Sequence, residues 1–288
     1  MKVLVTGAQG LLGHHLTSEL AASGHDVVAT DITSQSAYLD ITNPLAIRAF
    51  LLRERPTWVI NCAAYTKVDA CEEHEDLATR INGNAPGYLA DVCRDLSLKL
   101  LHISTDYVFD GTKDDPYRED DRTNPINAYG RSKLRGEQAI RERMDDHIIV
   151  RTQWLFGPHG PNFVATILKL AQERRSLDVV NDQWGSPTYS KDLSKALKLL
   201  IESDTRGIFH VCNRGKSTWY DLARKALELA GLSTQVNPVT TDRFPRPARR
   251  PANSILSTKK FTTTTGKLMP PWQIALQEYI QGHLAATL

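Results

Sequence analysis

The chain has 288 residues, with 35 Lys and Arg against 33 Asp and Glu, and a formal net charge of +2. A chain of this length buries roughly three quarters of its unfolded surface, so it needs neither disulfides nor metals to fold. The small net charge offers no long-range field to recruit nucleic acid or an anionic membrane, so we expect a small-molecule partner. The four cysteines show no CxxC spacing, which fits a reducing compartment.

The first residues, Met-Lys-Val-Leu-Val-Thr-Gly, run directly into a turn. They lack the apolar stretch and the cleavage site of a signal peptide, and no apolar run approaches membrane-spanning length. We therefore expect a cytoplasmic protein that begins at Met1 and binds neither membrane nor nucleic acid.

Short β-branched apolar runs alternate with amphipathic stretches, a pattern that predicts repeated βα units and a parallel sheet. The predicted strands cover residues 3–5, 27–30, 58–61, 100–104 and 148–151. The predicted helices cover residues 11–22, 44–53 and 75–96, the last with a kink or break near Pro86, followed by the helix that carries Tyr129. The predicted fold class is α/β, with a doubly wound, Rossmann-like parallel sheet and a smaller C-terminal substrate-binding lobe.

The second half of the chain is less regular, and prolines concentrate between residues 238 and 251. We assign residues 1–153 to a dinucleotide-binding domain and residues 154–288 mainly to the discontinuous substrate-binding lobe. A strand-like run at 207–211 is expected to return to the main sheet. Residues 105–124 are rich in charge and contain Asp110-Gly111 and Pro116, which predicts a long surface loop that could cover a site.

A glycine-rich turn, Gly7-Ala8-Gln9-Gly10-Leu11-Leu12-Gly13, follows the first predicted strand and opens the first predicted helix. Its glycines let backbone amides approach a pyrophosphate at the helix N-terminus. Asp31 ends the second strand, where an acidic residue meets a ribose hydroxyl. The pattern predicts a dinucleotide site, the alternative being a turn that only packs a helix on a sheet. Asp31 favours a cofactor with an unphosphorylated ribose, but it does not exclude NADPH.

Tyr129 and Lys133 lie four residues apart, so on a helix they project from one face at a separation of roughly 6 Å. An ammonium group at that distance favours the phenolate, and a phenol whose pKa lies nearer neutrality is a better general acid. Thr105 ends the fourth predicted strand, at the edge where doubly wound sheets bind ligands. The alternatives are a solvated Tyr–Lys pair and a threonine that only caps a turn. Together with the glycine turn, the pattern predicts nicotinamide-dependent carbonyl chemistry.

Several motifs resemble the dTDP-4-dehydrorhamnose reductase family of the extended short-chain dehydrogenase/reductase superfamily. Besides the glycine turn and Tyr129 with Lys133, they lie at 61–69, 104–109, 151–154, 182–188 and 246–254. The resemblance implies that NADPH or NADH reduces the 4-keto group of dTDP-4-dehydro-β-L-rhamnose, giving dTDP-L-rhamnose. Two alternatives stay open. One is a reductase of a different nucleotide-4-keto-deoxysugar or an epimerase, and the second is a non-catalytic NADP-binding regulator of the methionine adenosyltransferase β type.

The resemblance also implies roles for individual residues. Tyr129 would donate a proton to the developing alkoxide, Lys133 would hold the nicotinamide ribose and acidify Tyr129, and Thr105 would orient the keto oxygen. The implied cofactor contacts are Gly7, Gly10, Leu11, Leu12, Gly13, Asp31, Asp40, Ile41, Ala64, Tyr65, Thr66, Ile103, Tyr129 and Lys133. The implied substrate contacts are Val68, Thr105, Asp106 and Trp154. For Trp154, core packing is the alternative.

Arg243, Arg246, Arg249 and Arg250 form a basic cluster among prolines. Guanidinium groups suit a diphosphate, and Arg249 and Arg250 are predicted to bind it. A solvated loop is the rival interpretation.

The resemblance raises the question of a metal. Some relatives carry glutamates, one of them on the first helix, that hold magnesium between subunits, whereas His14 and His15 occupy that stretch here. Adjacent helical residues point about 100° apart, so the two imidazoles are not expected to share a metal. No metal is predicted, and the oligomeric state is left open, with a homodimer as one alternative.

Overall fold

The computed structural model describes residues 1–33 and 35–285. The strands of this part of the chain are β1 Lys2–Thr6, β2 Asp26–Asp31, β3 Ala37–Tyr38, β4 Trp58–Asn61, β5 Lys99–Thr105, β6 His147–Thr152, β7 Leu155–Phe156, β8 Ser176–Val180, β9 Trp184–Gly185, β10 Thr188–Tyr189, β11 Gly207–His210, β12 Ser217–Thr218 and β13 Gln235–Val239. Seven of them form one parallel sheet in the order β11-β6-β5-β4-β1-β2-β3. This confirms the predicted α/β class and doubly wound sheet.

The helices of the same residues surround this sheet and build the lobe. They are α1 Leu11–Ala22, α2 Pro44–Glu54, α3 Val68–Glu73, α4 Glu75–Ala78, α5 Ala85–Asp95, α6 Ala128–Arg143, α7 Phe163–Glu173, α8 Ser190–Glu202, α9 Trp219–Leu229, α10 Lys259–Thr265 and α11 Trp272–Ala285. Within the described residues, none combines the length and the apolar character that crossing a membrane requires.

Both faces of the main sheet are buried, as the alternation of side chains along a strand requires. Val3 and Val5 of β1 pack with helices α1 and α8 on one face. Leu4, between them, packs with helices α2, α5 and α6 on the opposite face. Because both faces are covered, the open positions for a ligand lie at the carboxyl ends of the strands.

The helical stretch predicted at 75–96 is present but continuous through Pro86. Helix α4, a π segment Thr79–Asn84 and helix α5 follow one another without a break. Proline has no backbone N–H for the helical ladder, and a wider turn before it accommodates that loss. The irregularity near Pro86 is therefore a π segment just ahead of the proline, and the helix does not break there.

The lobe is built from three two-stranded sheets, β7 with β10, β9 with β12 and β8 with β13. Helices α7, α9 and α11 contribute to one apolar cluster behind them. Strand β11 lies beside β6 in the main sheet, although the chain on either side of it belongs to the lobe. The domain boundary at residue 153 stays a prediction.

The loop at 105–124 is tied to the lobe by backbone hydrogen bonds. Tyr117 donates its N–H to the Ile255 carbonyl at 2.8 Å, and Ser257 donates to the Tyr117 carbonyl at 2.8 Å. Asn253 also donates to the Gly111 carbonyl at 3.2 Å. The loop therefore connects the end of the main sheet to the predicted substrate-binding lobe.

Candidate active site

The glycine turn is a tightly packed connection between β1 and α1. A Cβ on Gly7, whose φ is +65°, would lie 2.7 Å from the backbone nitrogen of Ala63, and a Cβ on Gly13 would lie 2.2 Å from the Gly7 carbonyl oxygen. A Cβ on Gly10 would lie 3.2 Å from the same Gly7 carbonyl oxygen. Backbone clashes require glycine at the first and third positions, whereas a Cβ at the second would meet only a tight contact.

Asp31 fastens this turn to the end of β2. Its Oδ2 accepts the N–H of Gln9 at 3.0 Å, and its Oδ1 accepts the N–H of Ile32 at 2.7 Å. Each carboxylate oxygen retains a further acceptor site, which is the chemistry that a ribose hydroxyl needs.

The remaining predicted cofactor residues lie at the same edge of the sheet, at or beyond the ends of neighbouring strands. Asp40 Oδ1 accepts the Thr42 N–H at 2.8 Å, which orients the chain beside the buried Ile41. After β4, the Asn82 side chain accepts the Tyr65 N–H at 2.8 Å and donates to the Tyr65 carbonyl at 2.9 Å. The turn, Asp31, the 40–41 segment and the 64–66 segment thus all lie beyond the carboxyl ends of the neighbouring strands β1 to β4.

Helix α6 brings Tyr129 to the carboxyl end of β5. Asn127 caps the helix by accepting the Gly130 N–H at 2.8 Å. Gly130 permits close contact, because a Cβ there would lie 2.1 Å from the Tyr107 carbonyl oxygen. The Thr105 hydroxyl lies close enough to Tyr129 to lower its pKa. The predicted acid and the predicted substrate-orienting hydroxyl therefore meet.

The expectation that Lys133 acidifies Tyr129 stays a prediction, and the burial of Tyr129 opposes it. Burial is the largest influence on Tyr129 and raises its pKa, Asp106 raises it further, and the hydrogen bond from Thr105 lowers it. The Lys133 ammonium instead donates to the Ile103 carbonyl at 2.6 Å and lies 3.2 Å from His102 Nε2. Spacing along the helix predicted the shared face correctly, but desolvation of the phenol outweighs the neighbouring charge.

Lys133 is held in a buried polar chain that runs across three strands. His102 Nδ1 lies 3.0 Å from Asn61 Nδ2, and the Asn61 side chain lies 2.6 Å from Thr6 Oγ1. Lys133 is 2% exposed, and burial lowers its pKa to about 8, partly opposed by Glu137. The amine therefore remains mostly charged at neutral pH and has a fixed position.

His102 and Glu137 support the site, and neither was predicted from the sequence. Glu137 lies four residues beyond Lys133 on α6, so extending the row of Tyr129 and Lys133 by one more turn would have found it. His102 is a polar residue within the apolar run that predicted β5, which was also a usable signal.

Asp106 lies directly after Thr105 and is buried. Its Oδ1 accepts the Thr105 hydroxyl at 3.0 Å. Burial raises the pKa of Asp106 to about 7, opposed by the hydroxyls of Ser254 and Thr105. A carboxyl group that changes its charge near neutral pH therefore lies beside the predicted catalytic hydroxyls.

Trp154 lies just past the end of β6 with a φ of +47°. Its ring stacks on Trp219, with centroids 3.6 Å apart and an angle of 10° between the planes. A Cβ on Gly185 would lie 2.5 Å from the same indole. Packing therefore holds the Trp154 side chain, which stays partly exposed. Contact of Trp154 with a substrate stays a prediction, as does contact of Val68 at the start of α3.

The two predicted diphosphate-binding arginines have different surroundings. Arg250 donates twice to Asp69, at 2.5 and 2.9 Å, and is half-buried. The Arg249 side chain is exposed, and its backbone carbonyl accepts a hydrogen bond from Asn127 at 2.7 Å. Arg250 thus anchors its segment to α3, and a role for either arginine in diphosphate binding stays a prediction.

His14 and His15 do not face one another. His14 stacks on His159 with ring centroids 3.5 Å apart, whereas His15 Nδ1 lies 2.8 Å from the Ser190 hydroxyl. Within residues 1–33 and 35–285, no group of three or more His, Cys, Asp or Glu side chains is arranged to hold a metal ion. Magnesium independence stays a prediction that requires an assay.

Comparison with known proteins places this site in a family. A family model described as RmlD substrate binding domain matches residues 1–284. The chain belongs to this family. It is 47% identical over 255 residues to the dTDP-4-keto-6-deoxy-D-glucose reductase of Streptomyces niveus, a match covering 88% of this chain and 87% of that protein.

Two further matches in this family extend over nearly the full chain. The dTDP-4-dehydrorhamnose reductase of Mycolicibacterium smegmatis is 41% identical over 99% of this chain and 87% of its own length. The crystal structure of the Bacillus anthracis dTDP-4-dehydrorhamnose reductase in complex with NADP superimposes with a TM-score of 0.94 at 39% identity, covering 98% and 99% of the two chains. The family resemblance drawn from the motifs is confirmed.

Proposed function

We propose that the protein is an NADPH- or NADH-dependent reductase that converts the 4-keto group of dTDP-4-dehydro-β-L-rhamnose to the hydroxyl of dTDP-L-rhamnose. The observation that carries this proposal is that the Thr105 hydroxyl, at the carboxyl end of β5, lies close enough to Tyr129 to lower its pKa, with Lys133 one helical turn away. The reductases named among the relatives support the substrate class.

The glycine turn fits a dinucleotide. A Cβ on the second glycine, Gly10, would crowd only the Gly7 carbonyl oxygen, at 3.2 Å, and the N-terminus of α1 presents backbone amides to an anionic diphosphate. Asp31 has acceptor sites for a ribose hydroxyl. We assign the remaining cofactor contacts to residues Leu11, Leu12, Asp40, Ile41, Ala64, Tyr65, Thr66 and Ile103. When bound, the nicotinamide cofactor supplies the hydride.

The protein's own side chains then handle the substrate oxygen. Tyr129 gives its phenolic proton to the oxygen that gains charge, and Thr105 orients that oxygen by a hydrogen bond. Lys133, fixed by Ile103 and His102, places a positive charge where the cofactor ribose is expected. We assign Trp154 and Asp106 to the contacts with the sugar.

A second substrate is favoured by the 47% identity to a dTDP-4-keto-6-deoxy-D-glucose reductase. The two reactions share the 4-keto group, the dTDP carrier and the hydride donor, and differ in the configuration of the sugar ring. Both use the assigned acid, so the identity of the product decides between them.

An epimerase and a regulatory subunit would each differ from a reductase in how they treat the cofactor. An epimerase keeps NAD bound and regenerates it, and a regulatory subunit binds cofactor without oxidising it, whereas a reductase consumes one NADPH for each sugar reduced. A homodimer and a cytoplasmic location remain part of the proposal and require their own measurements.

The test is NADPH and NADH oxidation with a panel of dTDP-4-keto sugars, with the product identified by NMR. We expect wild type to reduce dTDP-4-dehydro-β-L-rhamnose and Tyr129→Phe to lose about 100-fold or more in kcat. Tyr38→Phe is the matched control, because that tyrosine is 67% exposed, and its rate should equal wild type. Equal rates for Tyr129→Phe and wild type would reject the assigned acid.

A further inference from the structure

Three neighbouring strands of the main sheet carry a row of polar side chains near their carboxyl ends. In the parallel register Thr6 of β1 lies opposite Asn61 of β4, and Asn61 lies opposite His102 of β5. Side chains alternate between the faces of a sheet, so these register partners project from one face. Two residues earlier on each strand, the same face carries Leu4, Val59 and Leu100. The polar row therefore interrupts an apolar face that helices cover.

This polar row is buried and hydrogen-bonded along its length. Thr6, Asn61 and His102 are 1%, 0% and 0% exposed. The Thr6 hydroxyl donates to Asn61 Oδ1 at 2.6 Å, and Asn61 Nδ2 lies 3.0 Å from His102 Nδ1. The next register partner is Ile149 of β6, so the row ends at His102. A buried polar atom costs free energy unless it is paired, and the other imidazole nitrogen therefore needs a partner.

Lys133 of α6 meets that second nitrogen. Its Nζ lies 3.2 Å from His102 Nε2 and donates to the Ile103 carbonyl at 2.6 Å. An ammonium group has three hydrogens, and these two acceptors take two of them in fixed directions. Among the described residues, this leaves the third hydrogen for a ribose hydroxyl of the cofactor.

The contact requires a neutral imidazole. Burial lowers the pKa of His102 well below its usual value, and the charge of Lys133 lowers it further. An ammonium has no lone pair, so Nε2 accepts and the single imidazole proton lies on Nδ1. The Asn61 amide exchanges its oxygen and its NH2 group by a half-turn, and the Thr6 hydroxyl can donate or accept. The row can therefore satisfy this tautomer.

Other titratable groups come near the Lys133 amine from two elements. Cys62 lies beyond β4, and burial raises its pKa to about 12, so it stays a neutral thiol. Glu137 lies one turn further along α6 and raises the pKa of Lys133, but its two oxygens are bound by Arg151. Among the described residues, neither group is hydrogen-bonded to the ammonium. His102 is thus the side chain that sets its direction.

We propose that His102 is a positioning residue for the reduction: its neutral imidazole, held by Asn61 and Thr6, accepts one hydrogen of the Lys133 ammonium and fixes that group at the end of β5. This rests on the proposed function, in which Lys133 holds the nicotinamide ribose and serves Tyr129. The imidazole itself touches neither substrate nor cofactor. It acts through Lys133 alone.

The experiment measures kcat and the KM for NADPH in His102→Asn and His102→Gln. An asparagine amide reaches about as far as imidazole Nδ1 and keeps the contact with Asn61, whereas a glutamine amide reaches Nε2 and offers Lys133 an oxygen. In His102→Asn, kcat/KM for NADPH should fall by about tenfold or more, because a loosely held ammonium misplaces the ribose. His102→Gln should stay within about threefold of wild type.

The two variants separate positioning from support of the fold. The KM for the dTDP-sugar should stay within about twofold of wild type in both, since neither change removes a group assigned to the sugar. The control His74→Asn, at an exposed histidine, should match wild type. Equal kcat/KM values for NADPH in His102→Asn and His102→Gln, both normal or both reduced, overturn the proposal, because a row that only packs the sheet needs no acceptor at Nε2.

The imidazole of wild type gives a spectroscopic readout. The 15N resonances of histidine side chains at pH 7 distinguish the imidazolium from the two neutral tautomers, and the His102 signals are assigned by their absence from His102→Gln. We expect neutral His102 with its proton on Nδ1. An imidazolium, or a proton on the Nε2 that faces Lys133, overturns the proposal, and this outcome decides if His102→Asn does not fold.

Failure of the proposed function has a different signature. Wild type that oxidises neither NADPH nor NADH with any dTDP-4-keto sugar rejects the proposed function. The tautomer of His102 still shows in that case whether the imidazole holds Lys133.

Discussion

Arg151 and Glu137 form a two-point ion pair in the interior of the protein. Arg151 Nε donates to Oε1 at 2.9 Å and Nη2 donates to Oε2 at 2.7 Å, with side chains 2% and 1% exposed. Ser104 adds a hydroxyl to the same carboxylate at 2.5 Å. With Ser104, the pair joins β5, β6 and α6 beneath the predicted acid Tyr129. Glu137 lies one helical turn from Lys133.

Glu137→Gln should destabilise the fold strongly. The substitution leaves the Arg151 guanidinium buried without its counter-charge, so we expect the free energy of unfolding to fall by about 3–5 kcal/mol in urea titrations. Glu142→Gln is the control, because that side chain is 72% exposed, and it should change stability by less than about 0.5 kcal/mol. Similar losses for both variants would contradict a structural role for the pair.

Lys133→Met should abolish reduction while stabilising the fold at neutral pH. Burial lowers the pKa of Lys133 to about 8, below that of an unfolded lysine, so its charge costs stability below pH 8. Removing it should add on the order of 1–3 kcal/mol at pH 7, reduced by the lost hydrogen bonds. The gain should shrink toward pH 10, where the folded amine is already neutral. Lys169→Met, an exposed site, should show no such pH dependence.

Asp69→Asn should weaken sugar-nucleotide binding and change the acid stability. The Arg250 guanidinium lowers the pKa of Asp69, so its contribution is present at neutral pH and is lost as pH falls through the folded-state value. Between pH 5 and pH 3 wild type should therefore lose more stability than Asp69→Asn. KM should rise several-fold as the 246–251 segment loosens. Asp91→Asn, at an exposed ion pair, should leave KM unchanged.

Gly13→Ala should destroy the glycine turn. Its Cβ would lie 2.2 Å from the Gly7 carbonyl oxygen, so helix α1 must shift away from the turn. NADPH affinity, followed by fluorescence titration, should fall together with thermal stability. Among the described residues, a Cβ at Gly282 meets nothing within 4 Å, and Gly282→Ala should leave affinity unchanged and stabilise the helix by about 0.5–1 kcal/mol. Unchanged NADPH binding by Gly13→Ala would refute the assigned site.

Several elements could be predicted because their signals are local. The alternation of Val3, Leu4 and Val5 follows the two-residue repeat of a strand covered on both faces. Asn43 caps α2 by accepting the N–H groups of Leu45 and Ala46, each at 3.1 Å. These features depend on neighbours within a few residues, which sequence patterns record directly.

Other features depend on partners that are distant in the chain. Arg250 meets Asp69 across 181 residues, and Lys133 meets His102 across 31. Local spacing alone led to two predictions. One was the solvated-loop interpretation of Arg250, and the second was the effect of Lys133 on the pKa of Tyr129. Neither could include the carboxylate or the imidazole that the fold brings to these cations.

Sequence by itself determined the α/β class, the glycine turn and the family, because periodicity, glycine positions and motifs are properties of short stretches. Only the tertiary structure decided the electrostatics of the site: which amine is directed to which acceptor, and that burial raises the pKa values of Tyr129 and Asp106. The reason is that desolvation is set by every group packed around an atom, and those groups come from strands and loops far apart in the chain.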